Sequence, residues 1–146
     1  MTDDRSDEEP PLVSVVLPTY DRPEYLKRAV QSVCNQTYPS IELLVVDDQS
    51  PEPAAETLGE VPVEPISTVR CVRHERNRGA NAARNTGIRE ADGEFIAFLD
   101  DDDRWLPEKI SKQVDRFRSG RDDLGVVTVG SRIVDENGTQ IGVKRS

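Results

Sequence analysis

The chain has 146 residues, of which 32% are charged and 35% hydrophobic, and its formal net charge is -9. This length suits one domain with a real core, and the acidic excess argues against a nucleic-acid partner, because phosphate binding needs clustered basic side chains. No run approaches the ~18 apolar residues of a membrane-spanning helix, and two cysteines, Cys34 and Cys71, are too few for a disulfide framework.

The first predicted segment is a disordered acidic leader at residues 1–11, whose composition is the reverse of a signal peptide. The two cysteines are expected to be buried thiols in a reducing compartment. We therefore expect a cytoplasmic protein, with the inner face of the membrane as the alternative place. Residues 12–146 are predicted to form one domain. The surplus of acidic residues, with few lysines, suggests a halophilic type of protein kept soluble at high salt.

Apolar runs and helical periodicities then alternate along the chain. Strands are predicted at residues 12–17, 41–46 and 95–99, with a weaker one at 68–72. Helices are predicted between and after them from apolar spacing, at residues 26–33, 54–58, 80–91 and 110–117. Small residues on the third helix indicate close packing on the sheet, with Ile88 on the same face. An Asn-Gly turn predicts a hairpin within residues 124–143. This alternation predicts an α/β fold with a mainly parallel sheet.

Four consecutive aspartates, Asp100 to Asp103, directly follow the fourth strand. Like charges in a row repel one another, but they become favourable around a divalent cation, because Mg²⁺ and Mn²⁺ prefer carboxylate oxygens. A solvated acidic turn is the simpler alternative, although it leaves the position at a strand end unexplained. Ligands collect at the carboxyl ends of parallel strands. Residues 18–23 (PTYDRP) and Asp48 are therefore expected at the same edge as the aspartates.

Several common sites have no support in the sequence. There is no GxxxxGK[ST] or GxGxxG loop, and a calcium loop fails because Trp105 stands where a glycine is required. His74 is the only histidine, and we expect it to be a surface or loop residue. What remains is a site that binds a phosphorylated ligand through a carboxylate-held cation, for which a diphosphate leaving group is suitable.

Three stretches together resemble family 2 glycosyltransferases of the GT-A fold: VSVVLPTYDRPEYLKRAVQSVCNQTYPSIELLVVDDQS, NRGANAARNTGI and GEFIAFLDDDDRWLPEKI. The resemblance covers about residues 13–117, in the right order and spacing. It implies a Rossmann-like αβα sandwich. It also implies transfer of a sugar, with inversion, from a UDP-, GDP- or dTDP-linked donor, with Mn²⁺ or Mg²⁺ as the cofactor.

The resemblance also implies roles for individual residues. Asp100 and Asp102 match the outer members of a DxD motif, with Asp102 as the direct metal ligand and Asp103 as a support. Asp101 or Asp100 is expected near the ribose and diphosphate. Asp48 is expected to contact the base, and Asp47 to support its loop. The implied nucleotide-sugar-binding residues are Pro18, Thr19, Tyr20, Asp21, Asp48, Arg84, Asn85, Asp100 and Asp101.

Family members use a second half that supplies the acceptor surface and the catalytic base, and no residue here matches that base. We therefore expect the base beyond Ser146 and an acceptor half that is missing, so that this chain binds donor and is of doubtful activity alone. The acceptor is left open among a glycan, a lipid carrier at a membrane and a polysaccharide. Exposed surface left by a missing half suggests a homo-oligomer.

Two alternatives to a transferase stay open. The first is a non-catalytic sugar-nucleotide-binding or interaction module of the same fold. The second is a sugar-1-phosphate nucleotidyltransferase, which shares the broad architecture. It ranks lower because a nucleotidyltransferase needs a glycine-rich, basic loop after the first strand, and PTYDRP has no glycine.

Overall fold

A computed structural model of the chain describes residues 8–145. Residues 1–7 of the predicted acidic leader lie outside the described residues, as does Ser146. The chain falls into two compact units, the first ending at Glu108 and the second beginning at Lys109. None of the helices within residues 8–145 combines the length and the apolar character that crossing a membrane requires.

Strands and helices alternate strictly in the first unit. They are β1 (Val13–Thr19), α1 (Pro23–Cys34), β2 (Ile41–Asp47), α2 (Ala54–Gly59), β3 (Thr68–Arg73), α3 (Ala80–Glu90) and β4 (Phe95–Phe98). The sheet order is β3-β2-β1-β4, and every neighbouring pair of strands is parallel. The predicted α/β fold with a mainly parallel sheet is therefore confirmed.

The two central strands carry the core. All seven residues of β1 and all seven of β2 are buried, which is why both read as continuous Val- and Leu-rich runs. The apolar face of α1, including Leu26, Ala29 and Val33, packs into the same core. β3 and β4 are the edge strands, and their residues are half-buried or exposed. The edge position explains why the third strand is weak in the sequence.

Helix α3 approaches β1 closely because its inner face is made of small residues. A Cβ atom placed on Gly87 would lie 2.2 Å from Cγ1 of Val16, so this contact needs a glycine. Ala83 and Thr86 are buried on the same helix. The predicted close packing of this helix is confirmed. The placement of Ile88 on the inner face is wrong, since Ile88 is 43% exposed.

One carboxylate, Glu42, is buried in β2 at the end of the sheet opposite to the predicted ligand edge. It accepts hydrogen bonds from the Ser14 hydroxyl and, at 2.7 Å, from the N–H of Asp92. The guanidinium of Arg70 lies 3.5 Å from its other oxygen. A buried charge is tolerated when its lone pairs are used in this way. The network ties three strands to the loop that precedes β4.

The second unit contains α4 (Lys109–Ser119) and an antiparallel hairpin of β5 (Ser131–Val134) and β6 (Gln140–Lys144). In the hairpin turn Gly138 has a φ of 81°, a conformation that glycine adopts without strain. The Asp135 carboxylate accepts hydrogen bonds from the N–H groups of Asn137 and Thr139, both at 2.9 Å. The predicted Asn-Gly hairpin is confirmed, with a first strand shorter than residues 124–134.

Candidate functional site

The candidate site lies in the first unit, where β1, β2 and β4 end. Because these strands are parallel, the segments that follow them meet at one edge of the sheet. The N–H of Asp48 donates to the carbonyl of Thr19 at 3.0 Å, and the Thr19 hydroxyl donates to Oδ2 of Asp101 at 2.9 Å. These contacts bring together the three stretches for which the sequence predicts a shared edge.

The four consecutive aspartates separate into a group of three and one buried residue. The N–H of Asp103 donates to the carbonyl of Asp100 at 3.0 Å, which closes a tight turn. In this turn Asp101 is buried, and carboxylate oxygens of Asp100, Asp102 and Asp103 lie within 4.8 Å of one another. Three carboxylates at this spacing fit a hard divalent cation such as Mg²⁺ or Mn²⁺. The predicted ligands Asp100 and Asp102 are both in this group, and Asp103 joins them.

The carboxylate of Asp101 does not belong to the three-carboxylate group and contacts the loop that follows β1. Its Oδ2 accepts from Thr19, and its Oδ1 lies 3.4 Å from Nη1 of Arg22. Burial raises the pKa of Asp101, while the hydrogen bond from Thr19 and the charge of Arg22 oppose that rise. Its carboxylate therefore holds the turn against the loop that follows β1. A contact of Asp101 with ribose or diphosphate stays a prediction.

Two arginines offset the negative charge of the turn. Nη2 of Arg84, on α3, lies 2.7 Å from Oδ1 of Asp100. Nη1 of Arg22 lies 3.5 Å from Oδ2 of Asp102. The pKa of Asp103 is raised, first by burial and then by repulsion from the neighbouring carboxylates. The two arginines therefore neutralise only part of the negative charge of the turn, and the remaining charge favours a bound cation.

Asp47 has a supporting role, as predicted. It is fully buried, and its Oδ1 accepts from the N–H of Ser50 at 2.8 Å. Its Oδ2 accepts from the N–H of Ala54 at 2.9 Å and from Nη1 of Arg73 at 2.8 Å. Every one of these donors belongs to the protein. Asp47 therefore fixes the loop after β2 and the start of α2.

Asp48, the next residue, is held by three donors from the loop between β3 and α3. Oδ1 accepts from the N–H of Arg78 and lies 2.8 Å from Nδ1 of His74, while Oδ2 accepts from the N–H of Gly79. Burial by itself raises the pKa of Asp48, but the hydrogen bonds from Arg78, His74 and Gly79 together bring it below the ordinary value. The carboxylate is thus kept in its charged form.

Of the expected surface or loop position of His74, the loop is confirmed, but the side chain is not at the surface. It is only 7% exposed, and its Nε2 lies 2.8 Å from the Thr86 hydroxyl while its Nδ1 meets Asp48. His74 directly follows β3, at the same edge of the sheet as Asp48. The rule that selected Asp48, a polar side chain just after a parallel strand, also finds His74 when it is applied to the third strand.

The remaining predicted residues surround this edge. Pro18 is buried within β1, and Tyr20 is 46% exposed. Asp21 has a φ of 51°, in the left-handed region that Asp tolerates better than most residues. Its N–H donates to the Ser50 hydroxyl at 3.0 Å, which joins the loops after β1 and β2. Asn85 is exposed on α3, next to Arg84.

Comparison with known sequences gives consistent matches. A family profile described as Glycosyl transferase family 2 matches residues 14–143. An uncharacterised glycosyltransferase of Methanocaldococcus jannaschii is 36% identical over 129 residues, which are 88% of this chain and 44% of that protein. The Escherichia coli UDP-Glc:alpha-D-GlcNAc-diphosphoundecaprenol beta-1,3-glucosyltransferase WfgD is 39% identical over 103 residues, 70% of this chain and 40% of that protein. The chain spans about two fifths of the length of these curated relatives.

A solved structure with the same fold is the mannosyltransferase PcManGT from Pyrobaculum calidifontis, in complex with GDP-Man and Mn²⁺. It matches with a TM-score of 0.67 at 25% sequence identity. The match covers 87% of this chain and 36% of the mannosyltransferase. The fold similarity therefore extends over most of the chain described above.

Proposed function

Because this chain belongs to glycosyl transferase family 2 and has the GT-A fold, we propose that it binds a nucleotide-diphosphate sugar at the carboxyl edge of its sheet. The observation that carries this proposal is the group of three carboxylates beside Arg84, at the end of β4. A cation-binding group in contact with an arginine suits a diphosphate, which can bind to both.

At the metal end, Asp100, Asp102 and Asp103 would hold Mn²⁺ or Mg²⁺. When bound, the cation would neutralise the charge that develops on the diphosphate as its bond to the sugar breaks. Arg84 would donate N–H groups to phosphate oxygens, since its planar guanidinium suits phosphate. The Mn²⁺ bound with GDP-Man in PcManGT supports a divalent cation as cofactor.

At the nucleoside end, Asp48 would accept an N–H from the base. A carboxylate offers about four lone-pair positions, and the donors within the described chain use two on Oδ1 and one on Oδ2. One position on Oδ2 therefore suits a ring N–H of uracil, thymine or guanine, the bases of UDP-, dTDP- and GDP-linked sugars. The half-exposed ring of Tyr20 would lie against the base or ribose.

The remaining residues would shape the pocket between these two ends. Pro18, Thr19 and Asp21 would form its floor through the loop after β1, with Asp101 holding Thr19 in place. Asn85 would face the sugar from α3.

We propose that the complete protein carries out inverting transfer. An acceptor hydroxyl oxygen would bond to the anomeric carbon as the bond to the diphosphate oxygen breaks, and a base would take the hydroxyl proton. The acceptor would be a glycan, a lipid carrier or a polysaccharide. WfgD, whose name specifies an acceptor linked to diphosphoundecaprenol, supports a lipid-linked saccharide among these.

Isothermal titration with UDP, GDP and dTDP, with and without Mn²⁺, tests this proposal. We expect at least one nucleotide to bind about tenfold more tightly, or better, with Mn²⁺ than without it. Asp102→Ala should remove this dependence on Mn²⁺. The control is Asp122→Ala, which removes the same charge at an exposed position outside the acidic group and should leave it unchanged. Absence of metal-dependent binding to all three nucleotides would contradict the proposal.

A further inference from the structure

We propose that His74 is a positioning residue of the donor site, which orients the carboxylate of Asp48 toward the nucleoside. The inference rests on the proposed function, because Asp48 has a ligand only if the donor binds at this edge. It goes further by giving a task to the one buried histidine, which lies on a different loop from Asp48.

The imidazole ring of His74 is fixed at both nitrogens. Nδ1 lies 2.8 Å from Oδ1 of Asp48, and Nε2 lies 2.8 Å from the Thr86 hydroxyl. The backbone N–H of His74 also donates to the carbonyl of Asp47 at 2.9 Å. The ring therefore cannot turn without losing both of its polar contacts, and each of its partners is buried.

The contact with Asp48 fixes which nitrogen carries a proton. An ionised carboxylate only accepts hydrogen bonds, so Nδ1 must be the donor to Oδ1. Nε2 lies 2.8 Å from the Thr86 hydroxyl oxygen, which also lies within hydrogen-bond distance of the Ala82 carbonyl at 3.1 Å. Nη2 of Arg89 donates to the same Thr86 oxygen at 3.1 Å, which helps to orient that hydroxyl. Helix α3 thereby fixes the orientation of the His74 ring, and the ring in turn orients the carboxylate of Asp48.

The position of the His74 donor decides where Asp48 can receive a ligand. With Oδ1 occupied by His74 and by the N–H of Arg78, the lone pair left for the base lies on Oδ2. Without the ring donor, the carboxylate keeps one backbone hydrogen bond on each oxygen, and its rotation about the Cβ–Cγ bond is less restricted. A simpler role for His74 is that of a polar residue that fills space in the loop, and this role predicts no preference for one nitrogen over the other.

Two substitutions separate these roles because each keeps one of the two nitrogens. In His74→Asn the side-chain amide N–H can take the place of Nδ1–H, whereas in His74→Gln the longer amide reaches the place of Nε2. Both variants lose the ring and retain one hydrogen bond, so their unfolding midpoints should fall by similar amounts. Comparing the two variants therefore separates the effect of losing the contact with Asp48 from that of losing the contact with Thr86, at similar losses of stability.

The measurement is isothermal titration of the nucleotide diphosphate that binds best, with Mn²⁺ present, and of Mn²⁺ alone. We expect His74→Gln to weaken nucleotide binding about tenfold or more, and His74→Asn to stay within about threefold of the parent. Binding of Mn²⁺ alone should be unchanged in both variants. The amide NMR signals of Arg78 and Gly79, which donate to Asp48, should shift in the Gln variant and hold in the Asn variant.

Equal nucleotide affinities of the two variants would overturn the role of His74 while leaving donor binding by the parent intact. A parent that binds no nucleotide diphosphate would overturn the proposed function and this inference together. If neither His74 variant folds, Thr86→Val takes their place, since it removes the second partner of the ring and keeps the volume. It keeps the contact of the ring with Asp48, so nucleotide binding should stay within about threefold of the parent with Mn²⁺ binding kept. A loss of about tenfold or more would overturn the inference, because the contact with Thr86 would then outweigh the contact with Asp48.

Discussion

Asp47 and Asp48 are neighbours in the sequence, but their carboxylates meet different groups. Successive side chains of a strand point to opposite faces, so Asp47 turns toward α2 and Arg73 while Asp48 turns toward the loop before α3. All the donors to Asp47 come from the loop it supports and from Arg73. Asp47 and Asp48 each accept three hydrogen bonds from the protein. Asp48 is the one proposed to meet the ligand because its donors lie in the loop that leads into α3, the helix that carries Arg84.

The lowered pKa of Asp48 predicts how stability depends on pH. Its folded pKa lies below the ordinary value of 3.8. Its charge therefore stabilises the folded state above that value, and this contribution is lost as the pH falls through the folded pKa. We expect Asp48→Asn to be less stable than the parent at pH 6 but to lose less of its free energy of unfolding between about pH 5 and pH 2.

Urea unfolding at a series of pH values measures this dependence. Asp122→Asn is the control, because it removes an exposed carboxylate and should keep the acid loss of the parent. If Asp48→Asn and the parent show parallel curves over the acid range, the hydrogen bonds to Asp48 do not stabilise its charged form.

At the scale of elements, the contact of α3 with β1 positions the part of the candidate site that α3 carries. The helix carries Arg84 and Thr86, and its distance from the sheet is set by Gly87 against Val16. A single added methyl group at Gly87 would meet the Val16 side chain, and interiors packed at crystal density have little room to yield. The small residues of α3 therefore place the guanidinium of Arg84 within reach of Asp100.

Gly87→Ala is expected to destabilise the fold by about 1–3 kcal/mol, because overpacking forces the helix or Val16 to shift. The matched control is Gly59→Ala at the end of α2, where an added Cβ would meet nothing within 4 Å. That control should be neutral or more stable by less than about 1 kcal/mol. Denaturant unfolding compares the two variants, and equal stabilities would show that the contact between α3 and β1 yields freely.

For the whole molecule, the formal net charge of -9 implies mutual repulsion between acidic side chains. Salt shortens the range of that repulsion, from about 10 Å at 0.1 M to about 3 Å at 1 M. We expect the thermal unfolding midpoint to rise by several degrees between 0.1 M and 1 M KCl. The double variant Asp122→Asn/Asp123→Asn, which lowers the charge at exposed positions, should show a smaller rise. A midpoint that is the same in dilute buffer would contradict a halophilic adaptation.

The sequence by itself determined the architecture and the edge of the sheet at which the candidate site lies. Continuous Val- and Leu-rich runs specify strands buried on both faces, and their alternation with helices specifies a parallel sheet. Once the sheet is parallel, Thr19, Asp48 and Asp100 must come to the same edge, because each stands at or just after the end of a strand. The small residues of α3 likewise predicted that this helix packs closely on the sheet.

Only the tertiary structure decided which polar side chains share a contact. The turn that closes between Asp100 and Asp103 directs Asp101 inward to Thr19 and leaves the other three carboxylates together. Four identical residues in a row carry no sequence signal that distinguishes the buried one from the other three. His74 meets Asp48 and Thr86 across sequence separations of 26 and 12 residues. Periodicity reports which face of an element is buried, whereas a hydrogen bond depends on distances between elements that packing alone sets.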